Sequence, residues 1–215
     1  MKSKKLKKWT TLLTCATALT VMTACSQSSS QSTGTTSSTT SKTSAVTATT
    51  SKKTNKNNNS NSNYFTSKDS DTSYNESSAT KIKLSGSSAD VSGDGAALSG
   101  STVTISKAGT YVISGKSDGV QIKVDAGDSD DVHIVLDGAT MTNTNAAINA
   151  TKAGHVYLTL KDGTTNTLSD SSSNSDEDAD AVIFSKGDLT INGTGTLNID
   201  AKKNNGIKAN DSLHI

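Results

Sequence analysis

The sequence predicts an all-β fold, with residues 80–215 wound as a solenoid, a parallel β-helix of about 24 residues per coil. Three observations carry this. From Thr80 onward, short β-branched runs such as Lys81-Ile82-Lys83-Leu84, Val103-Thr104-Ile105 and Tyr111-Val112-Ile113 alternate in the manner of strands, and no window has a helical period. Val132-His133-Ile134-Val135-Leu136 recurs one period later as Val156-Tyr157-Leu158-Thr159-Leu160, as Leu189-Thr190-Ile191 does in Leu213-His214-Ile215 and Ile183 in Ile207. The step from Val156 to Leu189 is longer than one period, and an insertion within Ser171 to Asp180 accounts for the excess. Val132, Ile134 and Leu136 would then point inward and stack on the next coil about 4.8 Å away. Leucine-rich repeats have this length but carry a Leu/Asn signature and helical backs, both missing here. A β-sandwich with evenly spaced strands is the runner-up.

Taken in chain order, residues 1–24 read as a lipoprotein signal peptide. Lys2, Lys4, Lys5, Lys7 and Lys8 form a basic start, and Trp9 to Thr23 is too short and Thr-rich for a membrane-spanning helix. Met22-Thr23-Ala24-Cys25 resembles a lipobox, which makes Cys25 the expected lipidation site. The diacylglycerol of bacterial lipidation holds stably, at about 0.8 kcal/mol per buried methylene. The expected location is the extracellular face of the cell membrane of a Gram-positive type bacterium, with the lipid as the membrane contact. Residues 25–79 continue from the lipidated Cys as a linker rich in Ser, Thr, Asn and Lys, too poor in apolar groups to offset the entropy of ordering and so expected to be disordered. Its aromatics Tyr64, Phe65 and Tyr74 read as incidental.

Residues 80–215 are the folded domain. Cys15 lies within the signal, so the mature chain has no thiol pair and no Cys-based metal site. All basic residues are Lys; without Arg the chain lacks the usual bidentate readers of phosphate and bases, which argues against nucleic acid as a partner. The chain stops at Ile215 within a strand pattern with no polar cap, so it reads as a solenoid truncated at its C-terminus.

Aligned repeats also align polar groups. Asn145, Asp180 and Asn204 each lie three residues before an Ile and would form a column at a turn, either as an amide ladder or as part of a calcium site. Ca²⁺ takes six to eight oxygens, and the acidic run ending at Asp180 faces Asp188 and the next coil's Asn and Asp residues. The candidate metal ligands are Asp178, Asp180, Asp188, Asn205 and Asp211, with a solvated acidic loop as the alternative. From Lys81 onward 11 Lys stand against 17 Asp plus Glu, a net charge of −6, which would repel polyanions unless calcium bridged them.

The runs Gly109-Thr110-Tyr111-Val112-Ile113-Ser114-Gly115 and Val132-His133-Ile134-Val135-Leu136-Asp137-Gly138 resemble the secreted carbohydrate-binding β-helix proteins of clostridia and related bacteria. So do the run from Asp180 to Ile191 and Gly206-Ile207-Lys208. The resemblance implies a right-handed parallel β-helix, similar to pectate lyases, that binds calcium and plant-type polysaccharides including acidic ones.

The expected function is therefore a calcium-dependent, membrane-anchored, polysaccharide-binding protein without catalysis. A polysaccharide lyase would need a base beside a calcium-bound uronate, and among Lys123, Lys152, Lys161, Lys186 and Lys208 nothing singles one out. His133, His155 and His214 fall on different coils as outward strand residues and not as a metal cluster. A surface stalk or adhesin is the remaining class. The carbohydrate-binding residues themselves are not read from the sequence.

Overall fold

The computed structural model describes residues 44–47 and 64–215; the signal segment, Cys25 and most of the tether lie outside the described residues. The strands in chain order are β1 (Ser44–Thr47), β2 (Thr80–Gly86), β3 (Ser88–Ser92), β4 (Ala96–Ser99), β5 (Thr102–Ile105), β6 (Gly109–Asp118), β7 (Gln121–Asp125) and β8 (Asp131–Thr142). They continue as β9 (Ile148–Lys152), β10 (His155–Leu160), β11 (Thr165–Ser169), β12 (Ala181–Ser185), β13 (Asp188–Gly193), β14 (Thr196–Asp200), β15 (Asn205–Ala209) and β16 (Leu213–His214). The described chain is all-β, in two mixed sheets.

The pairing follows the repeat. In the first sheet β8 pairs β10 with Val132 opposite Val156, β10 pairs β13 with Val156 opposite Leu189, and β13 pairs β16 with Leu189 opposite Leu213, all parallel. β2 and β6 extend the same run. The C-terminal part of β8 turns to pair β11, which pairs β14, and β1 adds to β14 antiparallel. The second sheet runs β15-β12-β9-β7-β5-β4, with Ile122, Ile148, Ile183 and Ile207 level on successive strands. Besides β1, parallel pairing is broken only near the start of the domain, where β2–β3 and β4–β5 are antiparallel hairpins.

Both sheets feed one core. Ile134, Leu158 and Ile191 lie level on the first sheet and pack with Ile122, Ile148 and Ile183 of the second. Each such side chain stabilises the fold by about 1.5–3 kcal/mol when fully buried. Asn166 is buried among them without penalty, because its Oδ1 accepts from the Ala139 N–H at 2.8 Å and its Nδ2 donates to Thr164 Oγ1 and the Thr196 carbonyl. Close approach of neighbouring strands dictates two glycines: Gly115 (φ +89°) and Gly193 (φ +98°) sit where a Cβ would run into the carbonyl oxygens of Leu84 and Leu160.

The boundary at residue 80 needs correction. Residues 64–79 are not a free tether; they lie against the outer side of the first sheet. Tyr74 meets His133 edge-on at 6.0 Å, Phe65 lies 4.9 Å from the His214 ring, and Tyr74 packs with Ala79, Val112 and Val135. Tyr64, Phe65 and Tyr74 are thus contacts rather than incidental residues. Tyr111 points inward, is buried, and donates its hydroxyl to the Lys107 carbonyl at 2.8 Å.

Candidate functional site

Alternation on β8, β10 and β13 turns every second side chain outward, and the register sorts these into rows. Asp131, His155 and Asp188 lie level; two residues on come His133, Tyr157, Thr190 and His214; two further come Val135, Thr159 and Asn192. The three histidines, far apart in sequence, therefore share one face. His155 and Tyr157 stack, with centroids 4.1 Å apart and planes 6° from parallel.

Residues 66–74 cross these rows. Asp69 is buried, and both of its carboxylate oxygens are engaged. Oδ2 accepts from the Thr66 N–H (2.7 Å) and hydroxyl (2.8 Å), which fixes the local turn. Oδ1 accepts from the Thr190 hydroxyl at 2.6 Å and lies 4.0 Å from His155 Nε2. His214 Nδ1 is 3.2 Å from the same oxygen but out of line with it, so this buried nitrogen has no hydrogen bond among the described residues. Asn192 Nδ2 donates to the carbonyls of Asp69 (3.0 Å) and Asp71 (3.1 Å), and its Oδ1 accepts from the Thr159 hydroxyl (2.6 Å), which in turn meets His133 Nε2 at 2.8 Å. Lys68 pairs with Asp131 and stands 5.1 Å over the Tyr157 ring.

Protonation follows from burial and these bonds. Burial alone would raise the Asp69 pKa, but bonds from Thr190 and Thr66, with His214 close by, hold it far below the ordinary carboxylate range. Burial lowers His133 and His155, although Asp188, Asp69 and Asp131 pull His155 the other way. The face thus presents the imidazoles of His133 and His155, held toward their neutral form, with hydroxyl and amide groups beside one fixed carboxylate.

Alongside residues 65–74 runs an open groove of about 810 Å³. Its sheet wall carries Thr159, Lys161, Asp162, Asn192, Thr194 and His214, and its other wall carries Phe65, Ser70, Thr72 and Tyr74. Hydroxyl, amide and carboxylate groups flanked by aromatic rings are the chemistry that takes a polyhydroxylated ligand.

The five metal ligands expected from the sequence do not gather. Asp180 precedes β12 and Asp188 opens β13, so the length of β12, about 16 Å, stands between them. Asp180 is paired with Lys208 Nζ at 2.6 Å, and Asn205 Nδ2 donates to its carbonyl at 3.2 Å. Asp188 Oδ1 accepts from the Ser212 N–H at 3.0 Å, next to Asp211. Asp178 sits in the turn that Asp176 caps, its N–H donating to Asp176 Oδ1 at 3.1 Å. Among the described residues no three or more His, Cys, Asp or Glu groups are placed to hold a metal ion, and these residues do not fit one calcium shell. The Asn145–Asp180–Asn204 alignment does follow the register, but the bonds there run from Asn205 to Asp180 and from the Ser175 N–H to Asn145 Oδ1, and not along an amide ladder.

Sequence reasoning missed Lys68, Asp69, Thr190 and Asn192. The available signal was the break in the tether's composition, where Lys68, Asp69 and Asp71 lie among the aromatics Tyr64, Phe65 and Tyr74.

Comparison with known proteins defines the class. The carbohydrate-binding domain-containing protein family matches residues 99–215, more than half of the chain, and the chain belongs to that family. A carbohydrate-binding domain-containing protein of Acetivibrio thermocellus is 39% identical over 128 residues, covering 57% of this chain and 45% of its own length. A solved structure described as the polysaccharide lyase-like protein from C. thermocellum, gadolinium derivative, superposes with a TM-score of 0.60 at 35% identity, covering 63% of this chain and 57% of that one. The chain spans about half the length of these relatives.

Proposed function

We propose that this protein is an extracellular polysaccharide-binding lipoprotein, anchored through Cys25, whose domain is a right-handed parallel β-helix that takes acidic or plant cell-wall glycans. The carrying observation is the groove beside residues 65–74, lined by Thr, Asn, Asp and Lys side chains and edged by Phe65 and Tyr74, in a chain of a carbohydrate-binding family. The parallel registers, in which β8, β10, β13 and β16 stack on one side and β9, β12 and β15 on another, support the solenoid reading. The signal-like start of the chain supports the anchor.

The test is isothermal titration of the full chain with polygalacturonate, xylan and soluble cello-oligosaccharides, each with calcium and with EDTA, and metabolic labelling with an alkyne fatty acid. Saturable binding of a glycan and label lost in Cys25→Ser are the expected results. No glycan binding in either condition would refute the binding function and favour a stalk or adhesin.

A lyase is the second reading, favoured by the description of the solved neighbour. Of the lysines offered as bases, Lys123, Lys152, Lys161 and Lys208 each pair with a carboxylate, and the Asp137 bond raises the Lys161 pKa. A lysine held protonated is a poor base. Release of ultraviolet-absorbing unsaturated products from polygalacturonate would establish the lyase.

A further inference from the structure

The first sheet holds a carboxylate outside the core, supplied by the chain itself. Asp69 Oδ1 takes the Thr190 hydroxyl at 2.6 Å and lies beside His214 Nδ1 and His155 Nε2. Thr190 and His214 come from adjacent strands in register, so this pocket belongs to the sheet, whereas Asp69 arrives on a segment 121 residues away in sequence. Between the aromatic contacts of Phe65 and Tyr74 the segment is held by the Asp69 bonds, by Asn192 on two backbone carbonyls, and by an exposed Lys68–Asp131 pair. The groove opens from this point, since Asp69, Thr190, Asn192 and His214 all line it.

We infer that the Thr190–His214–His155 corner is a carboxylate subsite of the glycan groove, and that Asp69 occupies it as a built-in stand-in for the carboxylate of a uronate-containing polysaccharide. This rests on the polysaccharide-binding reading and names its ligand class and its competitor. The Thr190 hydroxyl meets His155 Nε2 at 2.8 Å and donates to the anion at 2.6 Å, and His214 Nδ1 stands 3.2 Å away, so the corner gives a carboxylate one hydrogen bond from a hydroxyl that an imidazole backs. Displacement of residues 68–69 between the groove edges Phe65 and Tyr74 carries Lys68 off the stacked His155–Tyr157 rings and bares them for a sugar face, at the cost of leaving Asp131 without its partner. Because an intramolecular occupant lowers apparent affinity by the fraction of time the subsite is vacant, removing the Asp69 carboxylate raises affinity most for carboxylated ligands.

The experiment titrates trigalacturonate and, as its neutral counterpart, cellotriose into the full chain, Asp69→Ala and the double variant Asp69→Ala/Thr190→Val. The expected result is trigalacturonate binding about tenfold tighter in Asp69→Ala, a clearly smaller gain for cellotriose, and the trigalacturonate gain lost in the double variant. In parallel, sodium acetate should raise the melting temperature of Asp69→Ala more than that of the wild type, with sodium chloride at equal ionic strength as control. Glycan binding by the wild type that Asp69→Ala leaves equal or weakens would overturn the inference while the binding function stands. An equal gain for cellotriose would also overturn it, since the segment would then be a steric cover and not a carboxylate mimic. Absence of binding to all three chains overturns both.

Discussion

The docked segment can be loosened through a residue that belongs to the sheet. Asn192→Ala removes two donated hydrogen bonds, to the carbonyls of Asp69 and Asp71 at 3.0 and 3.1 Å. A net contribution of about 0.5–1.5 kcal/mol each, with the exposed Asp71 bond at the lower end, gives about 1–2.5 kcal/mol of lost docking free energy. Thr159 keeps its contact with His133, so the core beneath is not left with an orphaned hydroxyl. Hydrogen exchange of the amides in residues 66–74 reads this directly: that energy corresponds to roughly 5- to 70-fold faster exchange, while amides of β8 and β10 keep their rates. Unchanged exchange in residues 66–74 would refute the assignment of Asn192 as a clamp. An equal acceleration in β10 would refute the separation of the docked segment from the core.

Two more outcomes follow from the same structure. The folded pKa values of His133 and His155 lie below the ordinary value near 6.5, so the stability they contribute is present above about pH 6.5 and is lost as pH falls below it. Asp69 is depressed as well, so its contribution is present above about pH 4 and is lost on further acidification. Exchange of residues 66–74, corrected for intrinsic rates and set against the facing groups Lys68, Asp131, Asp188 and His214, should therefore accelerate in two stages on acidification; a segment better protected at about pH 5 than at about pH 7.5 would contradict this. In the core, Leu158 is buried between Ile134 and Ile191, so Leu158→Ala should cost about 2–5 kcal/mol in urea unfolding without changing the rows of the outer face. A loss under about 1 kcal/mol would mean that the strands do not stack there as described.

The parts of this molecule legible in the sequence are those written in short-range pattern. Val132, Val156, Leu189 and Leu213 could be aligned by counting because each repeat carries the same inward side chains, and the sheet pairs those same residues. The longer step from Val156 to Leu189 was likewise absorbed by the polar stretch from Ser171 to Asp180, which precedes β12 and leaves the pairing of Ile183 with Ile148 intact. Once the register was known, the shared face of His133, His155 and His214 followed, but scattering along the chain hid it until strands replaced sequence distance. The five candidate ligands do not form one shell, for a related reason. Asp180 and Asp188 are close in sequence, yet an extended strand between them carries them apart, and Lys208 reaches Asp180 from the neighbouring β15. Asp69 was unreadable because its partners on the sheet lie far downstream and its neighbours look like tether.

That last failure bears on mechanism. A segment whose composition does not compel it to fold is held by what the sheet offers it, and between the Phe65 and Tyr74 contacts that offer is polar: one hydroxyl, one amide and a half-exposed ion pair. Exposed pairs of that kind contribute about 0–1 kcal/mol, and each hydrogen bond about as much again. Such docking is weak compared with a core in which each truncated Leu costs several times more, so residues 66–74 are among the parts of the fold that a ligand can displace without unfolding it. A polysaccharide with repeated carboxylates and hydroxyls replaces the Asp69 carboxylate, though not the Lys68 ammonium, and it presents many copies along a single chain. The same weakness that hid the segment from sequence reasoning is what allows it to yield the face to a glycan.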